Sequence, residues 1–150
     1  MKKIEIARQG NFILSSLLIH FIFFGYLCYI HEKSIGENIL FLHNVMFNSL
    51  SYFSVIILFF IVFIMVFRES FYEYGIRNSI WLIPFIIIES WIWYLFIIEF
   101  NIMIIPLYFT RYESYITILS LFSINLLAAI TGAFAKQKYI QYFKKPSQSV

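Results

Sequence analysis

The sequence predicts an all-α fold: a polytopic integral membrane protein with four transmembrane helices in a compact bundle and both termini in the cytoplasm. Three observations carry this reading. Of the 150 residues, 61% are apolar and 13% charged, against about half and about a quarter in soluble domains. The apolar residues form unbroken runs, and roughly 20 such residues wound as a helix cross about 30 Å of hydrocarbon. The basic residues gather at alternate ends of those runs. The whole length, 1–150, fits one membrane domain.

The first run, Phe12 to Ile30, lies between Arg8 and Glu32 with no charge between them. Lys2, Lys3 and Arg8 would suit a signal peptide. However, the 19-residue core exceeds a signal core and no small-x-small site precedes His31, so an uncleaved span is expected. The second run occupies Leu50 to Phe67 within thirty residues free of formal charge, from Glu37 to Arg68. The third, Ile80 to Phe100, is interrupted by Glu89, and the fourth, Tyr115 to Ala135, carries no charge. Spans are thus expected at about 12–30, 50–67, 80–100 and 115–135. Continuous runs of this length rule out barrel strands, which alternate over roughly 10 residues. Of the connections, Ile39 to Phe47 is apolar enough to lie in the interface, and residues 102–109, broken by Pro106, suit an interfacial or partly re-entrant segment.

Orientation follows from Lys and Arg near the span ends. Lys2, Lys3, Arg8, Arg68, Arg77, Lys136, Lys138, Lys144 and Lys145 fall on one side in a four-span arrangement, nine of the eleven basic residues. Only Lys33 and Arg111 fall on the other. The bias predicts cytoplasmic termini and one fixed orientation. Compactness and the Ile/Phe/Lys-rich composition point to a bacterial cytoplasmic membrane.

Ionisable groups inside hydrocarbon are costly, so each is a functional hypothesis. Glu89 lies nine residues into the third span, His20 eight into the first and Asn125 ten into the fourth, which runs the opposite way. At about 1.5 Å per residue the three reach similar depths on three helices. They form a candidate polar centre: either a site that exchanges a proton or binds a ligand, or a clasp whose hydrogen bonds each contribute about 0.6–2 kcal/mol. Trp81, Phe85, Glu89 and Trp93 follow an i, i+4 spacing, so the three rings are a candidate aromatic lining able to hold an organic cation, or simply a packing stripe. The fourth span carries small-xxx-small pairs, Ala128 with Gly132 and Ala129 with Ala133, expected to serve close helix packing within the bundle or between copies. Val55 to Phe67 is wholly apolar, so the second span is expected to face lipid or a partner. Lys136, Lys138, Lys144 and Lys145 in the tail, 136–150, are expected to hold anionic headgroups.

Several chemistries lack their residues. All eight acidic residues are Glu, which removes aspartate nucleophiles and EF-hand loops. Cys28 is the sole cysteine, so no internal disulfide or Cys-x-x-Cys pair exists. His20 is the one histidine within a predicted span, so one chain lacks bis-His ligation for haem. His31, Glu32 and His43 are too irregularly spaced to suggest a metal site. No phosphate loop, HExxH or GxSxG is present. These absences favour a non-enzymatic protein without cofactor, metal or nucleic-acid partner. It is expected to act through helix contacts with a membrane-protein partner or a second copy, as an accessory or protective (immunity-like) protein. The alternative is a proton-coupled transporter of a small cationic or aromatic compound centred on Glu89.

Overall fold

The computed structural model describes residues 2–28, 39–47, 52–69, 71–97 and 100–143, and the regular elements among them are all helices. Helix α1 (Lys2–Leu18) runs directly into π-helical winding over Ile19–Cys28. It is followed by α2 (Phe41–Phe47), α3 (Tyr52–Arg68), α4 (Tyr72–Ile97), α5 (Ile104–Tyr108) and α6 (Tyr112–Phe143). Three stretches are long and apolar enough to cross a membrane: Gln9–Tyr26, Tyr72–Ile97 and Tyr112–Phe143. A further apolar helix, Phe53–Arg68, is shorter. At about 1.5 Å per residue α3 reaches about 25 Å, somewhat less than the hydrocarbon thickness.

Helix boundaries differ from the expected spans in a consistent way. The chain is helical from Lys2 rather than Phe12, α4 starts at Tyr72 rather than Ile80, and α6 continues to Phe143. Hydropathy marks where a helix meets hydrocarbon, whereas backbone hydrogen bonding lets it continue into the headgroups. Lys136 and Lys138 therefore stand on the last turns of α6 instead of on a separate tail. Lys144 and Lys145 lie outside the described residues, as do His31 and Glu32.

The core is organised around α3 and α6, the most extensively packed pair of helices. Leu58, Ile61, Val62, Met65 and Val66 of α3 are buried, while Phe53, Ile56, Phe60 and Ile64 are exposed. This i, i+3, i+4, i+7 division is that of an ordinary amphipathic helix built entirely from apolar residues. The expectation that this helix as a whole faces lipid or a partner is therefore corrected: one face forms the centre of the bundle. Hydropathy alone could not separate the faces, because both are equally apolar.

The small residues of α6 explain the close approach. Ala128, Ala129 and Gly132 are buried, and Ala133 packs partly buried against the same core. A Cβ at Gly132 would lie 3.0 Å from the Phe63 carbonyl oxygen and 3.2 Å from Val66 Cβ. These pairs thus serve contact within the chain. Gly75 of α4 meets Val66 from another direction, with a Cβ placed 2.8 Å from Val66 Cγ1.

Helix α2 does not lie free in the interface. It buries Phe41, Leu42, Val45 and Met46 and packs against α6 and α3. Within residues 102–109, α5 carries Pro106 in its first turn, where a missing N–H disturbs nothing, and Tyr108 is buried. The Phe67 and Tyr139 rings meet at 5.9 Å, Gln9 and Arg77 line one groove, and Tyr72 and Lys136 line another. The start of α1, the α3–α4 turn and the end of α6 therefore share one end of the bundle. Arg68, Arg77, Lys136 and Lys138 stand at that basic end, and Arg111 stands at the other.

Candidate intramembrane polar site

His20 owes its position to the change of winding in the first helix. The Ser15 and Ser16 hydroxyls donate to the Asn11 and Phe12 carbonyls at 3.0 Å each, an i−4 bond that tends to bend helices. Immediately beyond, the chain widens into π turns, a rare geometry found often at functional positions. A Cβ at Gly25 would lie 3.4 Å from the His20 carbonyl, five residues back. His20 is the second residue of this winding and turns toward α4.

Glu89 comes from α4, five residues after Pro84. Its Oε2 lies 3.1 Å from His20 Nδ1, with 39% of the His20 side chain and 13% of the Glu89 side chain exposed. Trp93, one turn further on α4, reaches the same imidazole with ring centroids 5.4 Å apart. Phe21 meets it edge-on at 5.0 Å. The Nδ1–H donates to the carboxylate when the ring is imidazolium or the Nδ1-protonated neutral tautomer, and the carboxylic acid donates to Nδ1 when the proton lies on oxygen. Of these, imidazolium with carboxylate and imidazole with carboxylic acid are neutral overall, which is what low-dielectric surroundings favour.

Asn125 does not join them. It is buried, and its amide donates to the Ser79 carbonyl at 3.0 Å. Ser79 precedes Glu89 by ten residues on α4, about 15 Å along the axis. The reason is register: α6 extends well past Ala135 at the basic end, so Asn125 sits lower in the bundle than its distance from Tyr115 suggests. It binds next to the Ile80 carbonyl, which Pro84 leaves without an i+4 donor. Neighbouring helices commonly compensate such breaks in membrane spans.

The aromatic stripe also divides. Trp93 stands against His20, and Phe85 packs partly buried against the core. Trp81 is 64% exposed and lines a groove of about 570 Å³ between α1 and α4 with Gln9, Phe12, Ile13, Arg77 and Asn78. Three rings evenly spaced in sequence thus occupy three different surroundings.

Two further polar contacts escaped the sequence reading. Glu69, just beyond α3, is 3% exposed, and its Oε1 accepts a hydrogen bond from Asn78 Nδ2 at 3.3 Å. Next to Arg68 it reads as a loop charge, and only its tight turn against α4 buries it. His43 Nδ1 lies 3.0 Å from Thr117 Oγ1, and the Thr117 hydroxyl donates to the Glu113 carbonyl at 2.8 Å. With that proton committed, the Thr117 oxygen accepts, so His43 carries its hydrogen on Nδ1. Among the described residues no group of three or more His, Cys, Asp or Glu is arranged to hold a metal ion.

Comparison of the chain with protein-family models, curated proteins and solved structures finds no match.

Proposed function

We propose that the chain is a non-enzymatic, four-span protein of a bacterial cytoplasmic membrane, with α3 completing the fourth crossing and both termini inside. Its working element in this reading is the His20–Glu89 pair, which exchanges a proton as a small aromatic or cationic compound passes. The observation that carries the reading is the 3.1 Å contact between two titratable groups inside helices long and apolar enough to span. A clasp needs only hydrogen-bonding side chains, whereas both partners here are titratable, which suits a group that gains and loses a proton. A cation that paired with the Glu89 carboxylate and stacked on Trp93 would leave the His20 proton without its counter-charge. The imidazolium would then release one proton per cation bound.

Reconstitution in liposomes tests the proposal. Glu89→Gln keeps the shape and a hydrogen bond to His20 but removes the acid, so uptake driven by a pH gradient should fall to background while the chain stays folded. Full activity in Glu89→Gln would sink the carrier mechanism.

A second reading is favoured by the exposed face of α3, where Phe53, Ile56, Phe60 and Ile64 form a continuous apolar stripe. Here the chain is an accessory or protective protein that lays this stripe against another membrane protein. Mild crosslinking at native expression should then recover one defined partner. A chain that stays alone leaves the stripe to lipid.

A further inference from the structure

The groove between α1 and α4 lies at the basic end, and its chemistry differs from that of the His20–Glu89 pair. Two kinds of wall meet there. Phe12, Ile13 and the exposed Trp81 are apolar, while Gln9, Arg77 and Asn78 are polar. Arg77 is exposed, and its guanidinium lies over the Tyr74 ring at 5.0 Å. That contact leaves its N–H donors at the ring edges available. Among the described residues the one ion pair within 4.0 Å is His20–Glu89, and Arg77 takes no part in it. Glu73, one turn before Arg77 on α4, is exposed and makes no ion pair with it within 4.0 Å, and Glu69 is buried and turned to Asn78. The groove is therefore a cationic, hydrogen-bonding mouth set on an apolar floor.

Its depth identifies what that mouth meets. From Arg77 to Ile97, the last residue of α4, is twenty residues, about 30 Å of helix, which matches the hydrocarbon thickness. Arg77 thus stands at the headgroup boundary of one leaflet while Trp81, one turn deeper, lies beside the first methylenes of the chains. We infer that this groove binds the headgroup of an anionic phospholipid. The phosphate sits on Arg77 with Gln9 and Asn78 as further donors, and an acyl chain runs along Phe12, Ile13 and Trp81. The sign of the charge selects an anionic lipid over a zwitterionic one. A phosphocholine phosphate carries its own cation, which Arg77 repels. The proposal requires the chain to span a membrane but is independent of any transport at Glu89.

Trp81 itself reports occupancy. With Trp91 and Trp93 both replaced by Phe, Trp81 is the sole tryptophan. The protein is then placed in phosphatidylcholine vesicles containing brominated phosphatidylglycerol or brominated phosphatidylcholine. The anionic quencher should associate about fivefold more strongly, the factor expected for one basic residue at a membrane surface. Arg77→Gln should reduce the preference to about one, whereas Lys138→Gln, which removes a cation at the same end outside the groove, should leave it intact. Equal quenching by the two lipids would overturn the inference. So would a preference that survives Arg77→Gln, or one that Lys138→Gln abolishes equally. Displacement by millimolar glycerol phosphate would assign the groove to a soluble anion and overturn the lipid assignment. The unaltered chain provides a second measurement. Extracted from mixed vesicles, it should retain phosphatidylglycerol by phosphorus analysis, and Arg77→Gln should not. Equal retention by both forms would overturn the proposal without reference to the tryptophan variants.

Discussion

Val66 of α3 meets two glycines, and what each glycine avoids differs in kind. A Cβ at Gly75 would press on Val66 Cγ1 at 2.8 Å, the end of a side chain. A Cβ at Gly132 would press first on the Phe63 carbonyl at 3.0 Å, which is backbone and cannot rotate away. Gly75→Ala and Gly132→Ala should each destabilise the chain by about 1–3 kcal/mol, the usual cost of overpacking. Only the first should be relieved by Val66→Ala, because removing the valine methyls leaves the Phe63 oxygen in place. Thermal unfolding of the single and double variants in detergent measures the coupling directly. Relief of both would show that α3 and α6 shift apart freely. Tyr108 permits a pH prediction at the same scale, since it lies between α4 and α6 outside the spanning helices. Burial pushes its phenol above the usual 10.0. The folded chain then holds a proton that the unfolded chain loses near pH 10, so stability should be unaffected below that pH and fall above it. Alkaline absorbance titration should show one late tyrosine, absent in Tyr108→Phe. A titration without that late component removes the prediction.

Among the elements, α4 is held on two sides by single polar contacts, and these lie at different heights. His20 joins it to the first helix at Glu89, and Asn125 joins it to α6 at the Ser79 carbonyl. Asn125→Leu should therefore weaken the α4–α6 contact by about 0.6–2 kcal/mol, while leaving the pH dependence of any activity at Glu89 unchanged. A shifted pH profile in Asn125→Leu would mean that the two contacts act as one network. The elements also show what the sequence can and cannot convey. Long apolar runs made the spanning helices legible, because the hydrocarbon solvent demands them. The His20–Glu89 meeting was legible from depth alone, since two parallel helices with polar groups at equal heights share a level. Asn125 was misplaced because depth in an antiparallel helix depends on where that helix leaves the membrane, and α6 continues beyond its apolar stretch. The buried face of α3 was hidden for a different reason: a helix apolar all round gives no phase. The π winding after Leu18 had no visible signal beyond Ser15, Ser16 and Gly25. Glu69 was hidden because burial of a loop charge depends on tertiary packing.

For the molecule as a whole, charge and packing converge on the same end. The ring contact of Phe67 with Tyr139 and the groove shared by Gln9 and Arg77 bring the start of α1, the α3–α4 turn and the end of α6 together. The basic residues of the described chain stand mostly there: Lys2, Lys3, Arg8, Arg68, Arg77, Lys136 and Lys138, with Arg111 opposite. Seven basic positions on one end against one on the other is the asymmetry from which the positive-inside rule predicts a cytoplasmic end. The proposed four-span arrangement has α1 begin and α6 finish at that end, and it requires α3 to cross despite its 17 residues. Bilayer thinning around a short helix costs only fractions of a kcal/mol per Å of mismatch, and the buried face of α3 ties it to α6 regardless. Sided labelling tests both statements together. In a Cys28→Ser background, Lys138→Cys should react with a membrane-impermeant maleimide only after the cells are opened, and Arg111→Cys should react in intact cells. The same reagent reports on α3, which lies between the first helix and Arg68: Lys3→Cys should behave like Arg68→Cys. Labelling of Lys138→Cys in intact cells would reverse the orientation. Labelling of Lys3→Cys and Arg68→Cys from opposite sides would mean that α3 does not cross, because the first helix and α3 are the two helices between them long enough to span or nearly span the hydrocarbon.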